Sequence, residues 1–294
     1  MKTKVILTFA FLLYLLPLTG ISAHPGSGIV VDEYGQVYFT DTGKGVWKID
    51  TQGKSTFIPA SAFHWLTMDA NGYFTESPQS FGNYFERVTP KSARPTLIQC
   101  SDFPVVVNKD GNLYYTDTRP NSTKIIRRTP DGQESVVASN KLLGFINGIA
   151  ASRDGSLYIT EASNPTANTI QKIRLDRSVS ILANFVGRGG KNLPLKTEPS
   201  YCRGLAVDST GTIYVAATGS RSVLKVTPQG IITTILQETS PWTPTGVAVF
   251  HGKVYVLEWH DVAPALQEVR SAWIPRVRKI RKDGRITTLA TVSR

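Results

Sequence analysis

Six times along the chain a short apolar run, a polar turn ending in glycine and a second apolar run follow one another, and this recurrence leaves few folds open. The clearest copy is NGIAASRDGSLYITE, from Asn147 to Glu161. Across the copies the first runs read GIVVD (28–32), WLTMD (65–69), PVVVN (104–108), GIAAS (148–152), GLAVD (204–208) and GVAVF (246–250). Their partners are QVYFTD (36–41), YFTE (73–76), NLYYTD (112–117), SLYITE (156–161), TIYVAA (212–217) and KVYVLE (253–258). The turns close on Gly35, Gly72, Gly111, Gly155, Gly211 and Gly252, and glycine supplies the positive φ that a tight hairpin with a bulge demands. The β-branched and aromatic residues of both runs suit a pleated, half-buried surface.

Each unit continues with a third run (GVWKID, YFERVT, KIIRRT, IQKIRL, SVLKVT, RVRKIR) and a fourth that is short and β-branched (STFI, PTLI, ESVVA, SILA, ITTIL, ITTLATV). Four antiparallel strands per unit, repeated without a long amphipathic helix between units, predict an all-β fold: a six-bladed β-propeller over residues 24–294. A jelly roll or sandwich also uses short strands, but does not repeat one four-strand unit at intervals. The chain starts on a first strand and finishes on a fourth, so ring closure is expected to rest on packing of blade six against blade one. Tyr38, Tyr114, Tyr158, Tyr214 and Tyr255 recur at one position of the second strand, where a large ring fills the wedge between blades and its hydroxyl reaches a polar edge.

Ahead of this unit, Lys2 and Lys4 precede an apolar stretch from Val5 to Leu18, and Ile21-Ser22-Ala23 ends on a small residue. This is the pattern of a cleaved signal peptide over residues 1–23, so the remainder is expected to be secreted or periplasmic and not membrane-spanning. Loss of Lys2 and Lys4 takes the net charge from +11 to +9. A basic balance fits a polyanionic partner or an ordinary solvated surface. In RVRKIRKDG, however, Arg276, Arg278 and Ile280 alternate with Val277, Lys279 and Arg281, which is no clean stripe for nucleic acid. Cys100 and Cys202 lie in units two apart, too distant for the roughly 7 Å a disulfide tolerates, so two buried thiols are expected. A monomer is the expected state.

If the first strand of each blade runs down the channel, its opening residue shares a face with the end of the second strand. The openings are Ser27, His64, Phe103, Asn147, Arg203 and Thr245, and the second strands end on Asp41, Glu76, Asp117, Glu161, Ala217 and Glu258. The two longest connections, 184–202 and 259–275, open on that same face, which makes it the expected binding site. An acid after a strand also serves to accept backbone N–H groups or pair with a neighbouring base, and a repeat reproduces such a device in every blade. One or two of the five acids are left for a ligand. His64 and His260 fall on the same face and together supply a candidate general base and its partner. The ligand-binding set read from these positions is His64, Asn147, Glu161, Arg203, Glu258 and His260.

GLAVDSTGTIYVAA, preceded by FVGRGG and followed by SVLKVTPQG, resembles an NHL repeat. NGIAASRDGSLYITE is similar to the strand pair of the gluconolactonase and regucalcin-like family, in which an Asn opening a strand helps hold a divalent metal at the channel mouth. That resemblance implies Asn147 as a metal ligand, calcium as a possible cofactor, and metal-assisted hydrolysis of lactones or esters as an activity. Asp41, Glu161 or Glu258 would complete the ligand set. Two ligand positions depart from the family: Arg203 stands where an Asp is expected, and Ser27 where an N-terminal acid is expected. Tyr73-Phe74-Thr75-Glu76 is similar to the W-F-T-E of virginiamycin-type lyases. The leading expectation is a binding module whose mouth takes a small polar ligand or an extracellular partner, with the lactone or ester hydrolase as the alternative.

Overall fold

The computed structural model describes residues 25–42, 44–61, 63–74, 85–88, 96–101, 103–119, 122–139, 143–161, 169–185, 202–260 and 273–292. The expected signal peptide, Glu76 and most of the two long connections lie outside them. The chain folds into a six-bladed propeller with strands ordered from the axis outwards. Blade one holds β1 (Ile29–Val31), β2 (Val37–Asp41), β3 (Gly45–Ile49) and β4 (Ser55–Pro59). Blade two holds β5 (Trp65–Asp69), β6 (Phe85–Val88) and β7 (Thr96–Cys100). In blade three come β8 (Val105–Val107), β9 (Leu113–Arg119), β10 (Ser122–Arg128) and β11 (Glu134–Ser139). Blade four has β12 (Ile146–Ala151), β13 (Leu157–Glu161), β14 (Thr169–Ile173) and β15 (Val179–Asn184). Blade five has β16 (Cys202–Val207), β17 (Ile213–Ala217), β18 (Ser222–Val226) and β19 (Ile232–Gln237). Blade six has β20 (Trp242–Phe250), β21 (Lys253–His260), β22 (Pro275–Ile280) and β23 (Ile286–Thr291). No helix among the described residues is long and apolar enough to cross a membrane.

Blade two departs from the expected order. Its described strands run β5-β7-β6, so the segment expected outermost, Thr96–Cys100, pairs directly with the inner strand (Trp65↔Cys100, Asp69↔Thr96). The cause is visible in the side chains. All five residues of β7 are buried, whereas β4, a true outer strand, is largely exposed. With Leu97 packed towards blade one and Ile98 and Cys100 towards blade three, the strand gains more at the centre of the blade than at an edge.

The hydrophobic core is six cores, one per wedge. Strand alternation sends one face of each blade to the preceding blade and the other to the next. Tyr38, Tyr114, Tyr158, Tyr214 and Tyr255 fill five wedges as expected, none more than 8% exposed. Two of their hydroxyls donate to the first-turn aspartate of their own blade, Tyr38 to Asp32 Oδ2 at 3.3 Å and Tyr214 to Asp208 Oδ2 at 3.4 Å. The wedge between blades two and three is filled by Phe74, Phe85 and Tyr115 instead. Cys100 lies in that wedge and Cys202 in the wedge between blades four and five; both are buried. Burial pushes the Cys202 thiol up to about 12, which keeps it an unreactive apolar group.

Among the described residues, the ring closes between blades six and one without exchange of a strand. The Gly26 carbonyl accepts from Thr245 Oγ1 at 2.7 Å and from the Trp259 indole at 3.0 Å. Trp259 is 1% exposed and meets Trp273 edge to face at 6.1 Å between ring centroids.

Candidate functional site at the channel mouth

Three of the six openings share one local device. At Asn147, at Arg203-Gly204 and at Thr245 the inner strand carries a residue more than its partner: Ile146 pairs with Glu161 but Gly148 with Thr160, Cys202 with Ala217 but Leu205 with Val215, and Pro244 with Glu258 but Gly246 with Leu257. A bulge takes the extra residue out of the strict alternation that fills the wedges. The glycine that follows is required by space. A Cβ on Gly148 would stand 2.4 Å from the Arg203 carbonyl oxygen, and one on Gly246 would stand 2.3 Å from that of Ser27. Neighbouring inner strands therefore meet backbone to backbone at the mouth.

A threonine at or just after the end of the second strand secures three of the junctions between neighbouring blades. Thr40 Oγ1 donates to the His64 carbonyl at 3.3 Å, Thr160 Oγ1 to that of Arg203 at 3.1 Å, and Thr218 Oγ1 to that of Pro244 at 2.9 Å. These threonines were missed in the sequence reading, although YFTD and YITE repeat Thr beside the acid. Their effect is to fix where the opening residues of blades two, five and six stand.

The strand-end acids face elsewhere. Glu161 shares a strand face with Leu157 and Ile159, which pack on blade three, and Glu258 shares one with Val254 and Val256, which pack on blade five. They point into wedges and do not line the axis. Asp41 is buried and accepts from the Trp47 indole at 3.0 Å. Glu161 is buried, Asp117 is half-buried, and Glu76 lies outside the described residues.

Glu258 belongs to a polar cluster between blades five and six. It accepts from Arg276 Nε at 2.5 Å; Arg276 also donates to Glu238 Oε2 at 3.0 Å, and Arg278 pairs with Glu238. The Arg276 guanidinium lies 3.9 Å from the centre of the Trp242 ring, and His260 meets Trp242 edge to face at 5.3 Å. His260 is half-buried, and its Nδ1 is buried without a hydrogen-bond partner. The structure thus brings Glu258 and His260 together, but in the wedge and away from Asn147. Glu238 and Trp242 lie in LQETSPW, which matches no position of the repeat, so nothing in the sequence marked them.

Burial pushes the Glu258 carboxyl from 4.5 up to about 6, against the pull of Arg276. Between these values the folded chain holds a proton that the unfolded chain has released, so stability falls as pH rises from 4.5 through 6. The group accounts for about 2 kcal/mol of that fall. Glu258→Gln is expected to flatten this stretch of the stability profile, read by urea unfolding at about pH 4.5 and 7. An unchanged slope would assign the titration to another group.

The remaining openings differ in access. Ser27, Arg203 and Thr245 are buried, while His64, Phe103 and Asn147 are half-buried, so the mouth is reached from the side of blades two to four. His64 Nδ1 donates to the Ser101 carbonyl at 2.7 Å, which leaves the lone pair of the neutral ring on Nε2. The Ser27 hydroxyl is buried and has no hydrogen-bond partner. On the opposite face, an open polar depression of about 410 Å³ lies between Tyr34, Gln36, Lys48, Asp50 and Lys54 of blade one; it adjoins none of these groups.

A divalent metal, as the resemblance implies, does not fit the residues present. None of the six openings is a carboxylate and one is a guanidinium. Asp41 and Glu258 are engaged by Trp47 and Arg276, and no three His, Cys, Asp or Glu among the described residues gather where an ion would sit.

Teneurin-1 of Gallus gallus is 28% identical over 221 residues, 66% of this chain, and the chain spans about 8% of that relative's length. Two solved structures share the fold. A luciferin-regenerating enzyme matches with a TM-score of 0.57 at 16% identity, over 92% of this chain and 93% of its own. A gluconolactonase from Xanthomonas campestris matches with a TM-score of 0.55 at 14% identity, over 78% and 82%. The family model described as the SMP-30/Gluconolactonase/LRE-like region matches residues 100–255, more than half of the chain, with the whole of blades three to five and all three bulged positions at Asn147, Arg203-Gly204 and Thr245, and the chain belongs to that family.

Proposed function

We propose that the protein is an exported binding module whose channel mouth takes a small polar ligand or an extracellular protein partner. The observation that carries this reading is the row of bulged openings, which holds the half-buried Asn147 beside the buried Arg203 and Thr245 on fixed backbone at the one face where the long connections also emerge. Export rests on the Lys2-to-Ala23 pattern, and material beginning at His24 outside the cytoplasm is its direct check.

A thermal-shift panel of neutral sugars, lactones and hydroxy acids tests the mouth. A ligand at 100 times its dissociation constant adds about 2.7 kcal/mol of stability. Its effect is expected to vanish in Asn147→Ala and to persist in Lys282→Ala, which alters an exposed turn on the opposite face. Stabilisation that ignores Asn147 would end the mouth reading.

A second reading, hydrolysis of lactones or related esters, is favoured by the family to which the chain belongs and by the gluconolactonase likeness. Turnover of a lactone by the wild type, abolished in Asn147→Ala, would replace binding alone with this activity.

A further inference from the structure

We infer that the face opposite the mouth, where blades six and one adjoin, is a docking surface for a sulfated saccharide chain. The segment RVRKIRKDG supplies most of its charge, and strand alternation divides that segment in two. Arg276 and Arg278 turn with Ile280 towards blade five, where Glu258 and Glu238 neutralise them. Lys279 and Arg281 take the other side with Val277, which packs on blade one. Lys279 stands opposite Tyr255 and Thr287. Burial first, and then the like charges of Arg281 and Lys253, hold its ammonium below the ordinary lysine range. Lys282 lies across the neighbouring turn: a Cβ on Gly252 would stand 2.3 Å from its Cε and 3.2 Å from its Nζ. Among the described residues, Lys253, Lys279, Arg281 and Lys282 have no ion-pair partner. The Thr287 hydroxyl beside them is buried without a hydrogen-bond partner.

The acids in the turns of these two blades do little to offset that charge. Asp283 accepts a backbone N–H of its own turn and pairs with Arg285, while Asp32 and Asp50 accept backbone N–H groups of theirs. The exposed Glu33 is left against four cations. Like charges gathered without counter-ions repel, and a bound anion relieves them. Blade one extends the surface. Its depression of about 410 Å³ carries Lys48 and Lys54, the amide of Gln52, the hydroxyls of Thr51 and Thr56, and the ring of Tyr34, which is 66% exposed. Gly35 joins the depression to blade six, since a Cβ there would lie 3.7 Å from the Phe250 ring and 3.8 Å from Thr51. Amides and hydroxyls match the hydroxyls of a sugar, an exposed ring offers a flat apolar face to a pyranose, and lysines match sulfates. The cations are spread over two blades, so a chain bearing several charges gains more than a single anion. The polar depression, together with the export proposed above, favours a sulfated glycan over a nucleic acid.

Calorimetric titration of the full chain with a heparin-derived decasaccharide at about 0.1 M salt tests this surface. Binding is expected to weaken as salt rises, because a polyanion releases counter-ions on binding. Lys253→Gln combined with Arg281→Gln, both at exposed positions, should weaken it roughly tenfold or more and flatten its salt dependence. Lys44→Gln combined with Lys109→Gln removes the same charge from exposed positions of blades one and three, and should change it less than about twofold. Tyr34→Ala, which removes contact and no charge, should weaken the decasaccharide while leaving its salt dependence unchanged. Equal losses in the two double variants would assign binding to net charge and overturn the surface. Duplex DNA bound as tightly, with the same sensitivity to Lys253 and Arg281, would overturn the glycan class. Failure of the decasaccharide to bind even at about 0.05 M salt would overturn the inference. The response of the ligand panel to Asn147→Ala decides the mouth reading separately.

Discussion

Trp259→Ala is expected to destabilise the propeller by about 4–6 kcal/mol, combining the loss of a fully buried aromatic with the loss of one buried hydrogen bond. The effect is large because of where the ring sits. The core of the closing wedge joins Ile29, Val37 and Phe39 of blade one to Tyr255, Leu257, Trp259 and Val277 of blade six, and among the described residues no strand crosses between the two blades. Closure therefore depends on side-chain packing and on the two donors to the Gly26 carbonyl, one of which is the Trp259 indole. Trp259→Phe, which keeps most of the volume and drops the N–H, should cost about 1–2 kcal/mol. Urea unfolding of the three proteins checks both values. A loss below about 1 kcal/mol for the alanine variant would mean that closure rests on other contacts.

Arg276→Ala is expected to cost about 3–5 kcal/mol, because it strands buried carboxylates. Surface ion pairs are worth much less, so burial decides the class: the side chains of Arg276, Glu238 and Glu258 are 13%, 10% and 0% exposed. Removal of the guanidinium leaves Glu258 with no cation in contact and Glu238 with Arg278 alone. Adding Glu258→Gln to Arg276→Ala should recover a large part of the loss, since the amide needs no counter-charge. Unfolding midpoints of the single and double variants at neutral pH measure this. If the second substitution recovers nothing, stacking of the guanidinium on Trp242 carries the effect instead.

How far the sequence reached differs between blades. In blades one and three to six the alternation of apolar positions assigned every strand, and the tyrosines of the second strands fell into the wedges as expected. Blade two escaped because its repeat is degraded: Tyr73 is 42% exposed and packs over Gly111, and TLIQC, with apolar residues on both faces, moves in beside β5. A short apolar run does not announce whether it will be an edge or a centre; only the neighbours decide.

At the site, the sequence by itself brought Asn147, Arg203 and Thr245 to the mouth end of their inner strands, because the residue before a strand's glycine is a local signal, although those strands begin earlier, at Ile146, Cys202 and Trp242. It also marked Arg203 as foreign to a metal set. What only the tertiary structure decided is the facing of the acids. The alternation at Glu161 and Glu258 is local, but whether that face meets a channel, a solvent edge or a neighbouring blade depends on how six sheets pack around an axis. The cluster of Glu238 with Arg276 and Arg278 joins residues 38 and 40 positions apart, and no periodicity in the chain encodes their meeting. A repeat fixes its own hairpin through backbone geometry and side-chain period, while charges in contact between blades are selected by a wedge that exists only after the ring has closed.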